Sequence, residues 1–563
     1  MTPQKTVKKE PTLNIIPLGG VEEIGRNMTI FEYDDQIIIV DMGLQFPEED
    51  MPGIDYIIPN IACLEGKEKN ILGVIITHGH YDHIGAIPHL MHRLGNPTIY
   101  TAALTRGIVL RRQEDFHGIP KLNIELITQD SQLTLGDFKV EFFHVNHNIP
   151  DGLGVVLHTP VGTVVHSGDF KFDHSPIGEK PADIARIAQI GAGGILCLLS
   201  DSTAAEKLGY TISEREVQDN LEIIFKESNK RIIIATFASL LSRVQAIINL
   251  AEKYDRKVAV DGYSMRMNVE IAKSLRYLKV TKHTLIKPSQ IHEYPPEKAV
   301  ILCTGAQGEG NAVLMRIVNK EHKNFKIEKD DSVVFSSSVV PGNERTVQSL
   351  KDNIYKQGAR VYHYKLMDIH TSGHGQKEDL KMMLNLIKPK FLMPIHGNFY
   401  MLMLHGEIAQ TTGMDEKNVI LAENGQIISL STDKVTIGNK KVPTGYVMVD
   451  GLGVGDVGSV VLRDRQMMSK DGMFVVIVTV DAQTGKVKNS PDIISRGFIY
   501  MRDNKELLMD TRKKVKEIVE GVTGGQHPIN WSYVKENMRD KIGQFLFMRT
   551  NRRPMVLPVI IEV

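Results

Sequence analysis

The sequence has few of the residues that mark secreted or membrane proteins. It contains three cysteines in 563 residues. Cys63, Cys197 and Cys303 lie in or beside apolar runs and form neither a C-x-x-C pair nor an even set, so we expect reduced thiols rather than a disulfide framework. No apolar run reaches the roughly 18 to 20 residues of a membrane span, and the first residues have no apolar signal-peptide core. These absences predict a cytoplasmic protein without membrane contact.

The chain also lacks net charge, because 67 Lys and Arg residues balance 67 Asp and Glu residues. Whole-chain charge therefore neither supports nor excludes a polyanionic partner, and only a local basic cleft would decide. The length is far beyond the roughly 250 to 300 residues at which one hydrophobic core stops growing. At least two domains are expected.

The order of the apolar runs predicts an α/β protein in several parts. Strand-like runs such as ILGVIIT and GTVVHSGD dominate the first 210 residues, and polar residues follow them. Helices and strands then alternate, which is typical of an inserted parallel sheet. Near the C-terminus, VGSVVLRD, MFVVIVTVDA, a helix and PMVLPVIIEV indicate a small α+β domain. The glycines of GLGVGDVG match G-x-G-x-x-G at Gly453, Gly455 and Gly458, but they are expected to lead into a strand, so dinucleotide binding is not expected.

Four potential metal ligands occur within HGHYDHIG, at a strand-to-helix junction: His78, His80, Asp82 and His83. Imidazole and carboxylate groups without thiolates suit a catalytic zinc or manganese site that keeps a position open for water. The alternative is a set of surface or helix-capping histidines. The dense spacing favours a metal site.

Three further polar residues stand directly after apolar runs. They are His147 in HVNHNIPD, Asp169 in VVHSGDF and His396 in FLMPIHGN. Each alone could equally be a capping or core polar residue, but together they repeat one placement at the edge of a sheet. His144 competes with His147, and two such residues in one strand would face opposite sides.

HGHYDHIG, HNIPDG, SGDF and MPIHG resemble, in this order, the metal motifs of the metallo-β-lactamase superfamily. The resemblance implies two divalent ions per subunit, zinc or alternatively manganese or magnesium. It assigns His78, His80 and His147 to one ion, Asp82, His83 and His396 to the other, and Asp169 to a bridge. The HNIPD context selects His147 over His144. Asp41, which ends IIIVDMG, would orient a ligand imidazole from behind.

SDST with Asp201, TSGHG with His374 and MPIHG with His396 resemble the motifs of the β-CASP branch, whose members process nucleic acids. ATFAS, CTGAQGE, SSSVVPGNE, HTSGHG and ISRGF are similar to ribonuclease J, from about Leu13 to the C-terminus. This implies a metallo-β-lactamase αββα sandwich split by a β-CASP α/β domain, plus a small C-terminal α+β domain. The expected segments are a basic tail 1–12, a first metallo-β-lactamase part 13–210, a β-CASP domain 211–369, a second metallo-β-lactamase part 370–445, a linker 446–460 and a C-terminal domain 461–563.

The same resemblance implies hydrolysis of RNA phosphodiester bonds. The expected activity is 5′-to-3′ exonuclease action on 5′-monophosphorylated single-stranded RNA, with some endonuclease action, in rRNA processing and mRNA decay. The metal-bound water, with Asp82 among the ligands, would attack in line, and His374, oriented by Asp201, is the candidate general acid. A homodimer or homotetramer is expected, with other RNA-decay proteins as further partners. The alternatives are a DNA-processing or endonucleolytic relative of the same branch and a catalytically weak RNA-binding subunit.

Substrate contacts are expected in a Gly-flanked turn that can cradle an anion. The expected residues are His370, Thr371, Ser372, Gly373 and His374, with Phe237, Ser239 and Arg243 completing a pocket for the RNA 5′ end. FASLLSRV departs from the family pattern at Leu240, Leu241 and Ser242, which either changes the grip on RNA or repacks the start of a helix.

Three charged clusters each have two interpretations. One basic cluster is Arg106, Arg111 and Arg112, the other is Arg549, Arg552 and Arg553, and the acidic cluster is Glu48, Glu49 and Asp50 with Asp450. The basic clusters either track an RNA backbone or form solvated faces. The acidic cluster either holds a structural Ca²⁺ or is a solvated loop.

Overall fold

The computed structural model describes residues 11–340, 342–524 and 528–563. The expected basic tail, 1–12, lies almost wholly outside the described residues. The chain forms two compact units, the first reaching to Gln45 and continuing over Ile58–Tyr446, the second comprising Phe46–Ile57 and Val447–Val563. No helix in the described part of the chain is long and apolar enough to cross a membrane.

Two sheets form the centre of the first unit. In spatial order, the eight strands of one sheet are Val435–Lys441, Gln426–Leu430, Leu13–Gly19, Met28–Tyr33, Gln36–Val40, Ile71–Ile75, Ile99–Thr101 and Ile124–Leu126. The six strands of the other are Phe391–Ile395, Ile195–Asp201, Gly162–His166, Leu153–Thr159, Phe138–His144 and Gln132–Leu135. Phe31 from the first sheet and Phe142 from the second belong to one buried cluster. The two sheets therefore pack face to face.

Helices cover the outer faces of this sandwich. Phe142 faces the core between the sheets, whereas Phe143 packs in a separate cluster with helix residues such as Leu380 and Ile408, because successive side chains of a strand point to opposite faces. The helices of this part are Tyr81–Ile84, Ile87–Leu90, Ala103–Gln113, Ile184–Ala192, Lys377–Ile387 and Phe399–Thr411. The expected αββα arrangement is confirmed.

The segment between the two halves of the sandwich contains a third sheet, and all of its strands are parallel. In spatial order they are Leu285–Ile286, Lys257–Asp261, Ala299–Cys303, Ile232–Ala235, Ser332–Phe335 and Arg360–His363. The accompanying helices are Glu214–Glu227, Leu241–Lys253, Tyr263–Ser274, Val313–Val318 and Glu344–Lys356. Continuous apolar strands such as IIIA and AVILC are buried throughout, as expected for a parallel sheet covered on both faces.

Strands from before and after this insertion pair with each other and so join the two halves of the sandwich. Ile195–Asp201 runs parallel to Phe391–Ile395, with Asp201 opposite Ile395. Val21–Glu22 pairs with Gly397–Asn398 just beyond. The residues after Asp201 and after Ile395 are therefore held at the same edge of the sheet.

The second unit has an α+β core. Its main sheet has the order Asp492–Arg496, Met473–Val480, Met555–Glu562, and its helices are Ser459–Asp471, Lys505–Thr523 and Trp531–Thr550. A smaller sheet contains Gly453–Val454, Val447–Asp450 and Tyr56–Ile58. Phe474, Val515 and Ile542 are buried together between the main sheet and the two long helices.

One element of this unit differs from the expectation. VGSVVLRD begins the helix Ser459–Asp471, with Gly458 at its N-cap, and is not a strand. The β-branched pair Val460 and Val461 suggested a strand, but both side chains are exposed and pack in no core. The glycines of GLGVGDVG thus do lead into a helix. The strand before them has only two residues and includes Gly453 itself, which is unlike the βαβ unit of a dinucleotide site.

Candidate metal centre

The predicted ligands follow the ends of neighbouring strands. Asp41 follows Gln36–Val40 and His78 follows Ile71–Ile75, and these two strands are parallel neighbours. Asp169 follows Gly162–His166. Since the carboxyl ends of parallel strands meet at one edge of a sheet, side chains distant in sequence converge there.

His78, His80 and His147 form the first ligand group, with their ring nitrogens within 4.8 Å of one another. His147 Nε2 lies 3.1 Å from His80 Nδ1. The Nε2 atoms of His78 and His80 are buried and have no hydrogen-bond partner among the described residues. Buried imidazole nitrogens without partners fit a metal ion, because an ion satisfies lone pairs that would otherwise be desolvated without compensation.

The competition between His144 and His147 is resolved by position. The strand ends at His144, so the two histidines do not alternate along one strand. His144 Nε2 lies 3.1 Å from the carbonyl oxygen of Lys180, outside the cluster. His147 is in the loop beyond the strand and turns into the cluster.

Asp82, His83, Asp169 and His396 form the second group. Asp82 Oδ2 lies 3.2 Å from His396 Nε2 and 3.5 Å from His83 Nε2. These oxygens and nitrogens are a donor set that zinc and manganese both accept. All seven predicted ligands are thus brought together in two groups.

A single oxygen of Asp169 lies between these groups. Its Oδ2 is 3.2 Å from His83 Nε2 and 3.7 Å from His396 Nε2, both in the second group. The same atom is 3.9 Å from Nε2 of both His78 and His147, in the first group. This is the position that a carboxylate shared by two cations would occupy.

The outer nitrogens of the imidazoles are held by hydrogen bonds. His83 Nδ1 is 2.8 Å from Asp41 Oδ2. His147 Nδ1 donates to the carbonyl oxygen of Gly373 at 2.6 Å, and His396 Nδ1 is 2.6 Å from Thr203 Oγ1. Such contacts fix the tautomer, so that Nε2 keeps its lone pair for an ion. Asp41 was predicted in this role, whereas Thr203 and Gly373 were missed, although both lie inside quoted motifs.

The two groups differ in electrostatics. Burial and neighbouring histidines lower the pKa of His78 and His147, and burial lowers the pKa of His80 to about 4. These three imidazoles are neutral. In the second group burial also opposes the charged form, but Asp169 and Asp82 outweigh it, raising the pKa of His83 and bringing that of His396 to about 9. The carboxylates therefore attract positive charge to this group.

His374 lies beside the ligand groups, with Nδ1 2.8 Å from Asp201 Oδ2 and 3.9 Å from Asp169 Oδ2. Its side chain is 19% exposed, whereas Asp201 is buried. The carboxylate can therefore fix the ring while the ring exchanges protons with solvent. This pairing of an oriented imidazole with a carboxylate is typical of a general acid or base.

The turn from His370 to His374 is tightly fitted. A Cβ at Gly373 would lie 2.3 Å from Asn148 Nδ2 and 2.5 Å from His147 Cε1, so only glycine fits. The Thr371 hydroxyl donates to the carbonyl oxygen of Ile212, and Ser372 Oγ accepts from the His374 amide. His370 Nδ1 is buried without a hydrogen-bond partner in the described part of the chain.

The position of Arg243 corrects its expected role. Its side chain is fully buried, and its guanidinium donates to both carboxylate oxygens of Glu214, at 3.0 and 3.1 Å, and to the Ile369 carbonyl. These contacts hold the chain just before His370 and leave no exposed surface for a substrate phosphate. Phe237 and Ser239, in contrast, lie partly exposed in the loop before the helix Leu241–Lys253.

The unusual residues of FASLLSRV lie in the core. Leu240, Leu241 and Ser242 are all buried at the start of the helix. The Ser242 hydroxyl is 3.4 Å from Glu179 Oε1. Their placement favours the interpretation that they repack the helix start.

Most residues of the charged clusters have partners within the fold. Arg111 pairs with Glu114 and Asp115, and Arg112 lies over the rings of Tyr81 and Phe116, while Arg106 is exposed.

In the second unit, Arg549 pairs with Asp510, Arg552 donates to the Phe498 carbonyl, and Arg553 lies over Phe547. Asp450 pairs with Arg465. Among the described residues, no group of potential metal ligands includes Glu48, Glu49, Asp50 or Asp450.

Family models match successive parts of the chain. The metallo-beta-lactamase superfamily model matches residues 21–202, the ribonuclease J beta-CASP domain 229–354, the RNA specificity domain of Zn-dependent metallo-hydrolases 342–421, and the ribonuclease J C-terminal domain 460–563. These matches agree with the three sheets and the C-terminal α+β core.

Whole-length relatives are also found. Ribonuclease J2 of Bacillus subtilis is 39% identical over 559 residues, covering 99% of this chain and 100% of that protein. Ribonuclease J 2 of Staphylococcus epidermidis is 38% identical over 557 residues, covering 99% of each. A solved structure of a protein of unknown function from Enterococcus faecalis has a TM-score of 0.54 at 16% identity and covers 74% of this chain and 100% of that one, which supports the fold alone.

Proposed function

The chain belongs to the ribonuclease J family of metal-dependent RNA hydrolases, and we propose that it uses two ions to degrade 5′-monophosphorylated single-stranded RNA from the 5′ end, with some endonuclease action. The observation that carries the proposal is the position of Asp169 Oδ2 between two complete ligand groups, with His374 beside it. Paired divalent ions, when bound, supply hydroxide at neutral pH and offset the charge of the phosphate.

The protein's own residues determine where each proton is held. His78, His80 and His147 are neutral, so each keeps one ring nitrogen with a free lone pair for an ion. Asp201 accepts the Nδ1 proton of His374, which directs the other ring nitrogen away from the carboxylate. We assign His374 the donation of a proton to the departing ribose 3′-oxygen, and its partial exposure lets it regain that proton from water.

Zinc is the proposed metal, with manganese or magnesium as alternatives. The histidine-rich first group suits zinc, since imidazole is a favoured zinc ligand and magnesium prefers oxygen. Metal analysis of protein purified without added metal tests the assignment. About two zinc ions per chain would support the assignment, and magnesium without zinc would contradict it.

The activity is tested with end-labelled RNA and DNA that carry either a 5′-monophosphate or a 5′-triphosphate. The wild-type protein is compared with His80→Ala and with a matched control, His92→Ala, whose side chain is exposed and outside the ligand groups. Mononucleotides released from monophosphorylated RNA by the wild type and the control, but not by His80→Ala, are expected. RNA binding without metal-dependent cleavage would refute the proposal and indicate a binding subunit.

We also propose a homodimer or homotetramer in the cytoplasm that takes part in rRNA processing and mRNA decay. The sheet of the second unit supports self-association, because one face carries the exposed apolar side chains Ile494, Leu557, Val559 and Ile561. Exposed apolar faces of this kind often mark association surfaces. Light scattering tests the state, and a strict monomer with full activity would overturn this part of the proposal.

A further inference from the structure

A basic cavity lies in the inserted α/β part of the first unit, apart from the metal ligand groups. It has a volume of about 210 Å³ and is lined by Lys351, His363 and Lys365. It opens where the parallel strands Ser332–Phe335 and Arg360–His363 end.

The two lysines of this cavity form no ion pair with the described residues. Among the residues that the structure describes, no carboxylate lies within 4 Å of either ammonium group. Glu344 also lines the cavity, where its Oε2 accepts a hydrogen bond from the Gly342 amide at 2.9 Å, so the lining carries one carboxylate against two ammonium groups. Burial, Lys351 and Lys365 together lower the pKa of His363, the third basic residue of the lining.

The cavity is connected to the metal centre by a short stretch of chain. His370 follows His363 by seven positions in the sequence. A fully extended chain of this length spans at most about 25 Å. The turn that follows contains Gly373, whose carbonyl holds His147. A stacked RNA strand rises about 3.4 Å per nucleotide, so no more than about seven nucleotides would cover the distance between the cavity and that turn.

We propose that Lys351 and Lys365 bind one backbone phosphate of the RNA strand, several nucleotides from the scissile bond. This inference rests on the proposed function, because it takes RNA as the ligand. An ammonium group binds phosphate as a point charge and does not distinguish bases. The contact therefore adds affinity for any RNA sequence, and the hydroxyls of Ser337 and Tyr364, which also line the cavity, supply further donors.

Binding of a 5′-monophosphorylated RNA of about 20 nucleotides is measured by fluorescence anisotropy over a range of salt concentrations. The full-length protein is used in chelator, so that the RNA stays intact. The variants are Lys351→Ala and Lys365→Ala, with Lys351→Arg to restore the charge. Lys356→Ala is the matched control, because Lys356 is exposed on the same helix and does not line the cavity.

Each cavity variant is expected to bind RNA about 3- to 10-fold more weakly at low salt, with a salt slope shallower by about 1. Lys356→Ala and Lys351→Arg should match the wild type. Unchanged affinity and slope in both alanine variants would refute the inference. Binding of inorganic pyrophosphate is measured by calorimetry. If the alanine variants lose pyrophosphate binding but bind RNA as the wild type does, the inference is also refuted, since the cavity would then bind a free anion.

RNA cleavage and the salt dependence of RNA binding are measured separately, so each tests a different property of the protein. If metal-loaded wild-type protein cleaves RNA but the lysine variants keep the wild-type slope, only the cavity assignment is wrong. If the lysines set the slope but the metal-loaded protein leaves all RNA intact, only the proposed catalytic activity is wrong.

Discussion

Asp41→Asn tests whether the metal centre depends on residues that do not touch an ion. The Asp41 carboxylate accepts from the Thr77 amide at 2.8 Å and from the Thr77 hydroxyl at 2.9 Å, and Oδ2 is 2.8 Å from His83 Nδ1. An asparagine keeps the size of the side chain but loses the negative charge and one acceptor. It then cannot satisfy Thr77 and His83 together.

The expected effect is a loss of metal affinity rather than of folding. Asp41 has a φ of 63°, and asparagine tolerates this left-handed region almost as well as aspartate, so the backbone stays unstrained. Removing a carboxylate behind a ligand imidazole lowers metal affinity by about 10- to 100-fold, or about 1.4 to 2.8 kcal/mol. Activity should return when excess metal is supplied, because the ligands themselves are intact.

The assay is competition between the protein and a chelator of known affinity, followed by RNA cleavage at limiting and at saturating metal. Asp34→Asn is the matched control, because Asp34 also has a left-handed φ, of 49°, but is exposed in a turn. Wild-type metal affinity in Asp41→Asn would refute the reasoning. So would equal losses in both variants, since the effect would then come from the backbone.

Three other predictions concern proton transfer, stability and pH. His374→Ala should lower kcat on RNA by about 10²- to 10⁴-fold with metal content unchanged, and full turnover would contradict its role as general acid. Arg243→Ala should lower the free energy of unfolding by about 3 to 5 kcal/mol in denaturant titrations, because it removes the two hydrogen bonds to the buried Glu214 carboxylate and leaves only Lys171, at 3.9 Å, beside it; a change below about 1 kcal/mol would contradict this. Burial raises the pKa of Glu179 to about 8, so the folded protein retains a proton that the unfolded carboxyl loses, and stability falls as pH rises from about 4.5 to about 8. Glu179→Gln should therefore raise the melting temperature, relative to wild type, more at pH 8.5 than at pH 5, and an equal shift at both pH values would refute the assignment.

The strand ends were predictable because two local signals agree there. In the sequence, apolar runs give the buried strands, and polar residues after those runs give the edge where Asp41, His78 and Asp169 meet. The parallel character of the inserted sheet followed from the alternation of helices and strands. Family resemblance then supplied the pairing of ligands, which spacing alone does not determine.

Other features depend on contacts that local sequence does not encode. Arg243 resembled a phosphate-binding residue because nothing near it in sequence shows that Glu214 lies against its guanidinium. The Gly373 carbonyl carries no side-chain signal at all, yet it holds His147. The helix Ser459–Asp471 was missed because its exposed β-branched pair gave a local preference for strand that the surrounding fold outweighs.

The inserted α/β part also affects the metal centre, because it separates His396 in sequence from the other ligands. Thr203 Oγ1 donates to the His396 carbonyl oxygen across 193 positions of sequence, and Asp201 lies opposite Ile395 in the parallel pair. Because parallel strands need a crossover connection, His396 reaches the other ligands only after the whole insertion has returned the chain to the sheet. The three histidines of the first group lie before the insertion, but the Gly373 carbonyl that holds His147 lies beyond it, as does His396 of the second group, so both groups depend on the return of the chain from the insertion that carries the basic cavity.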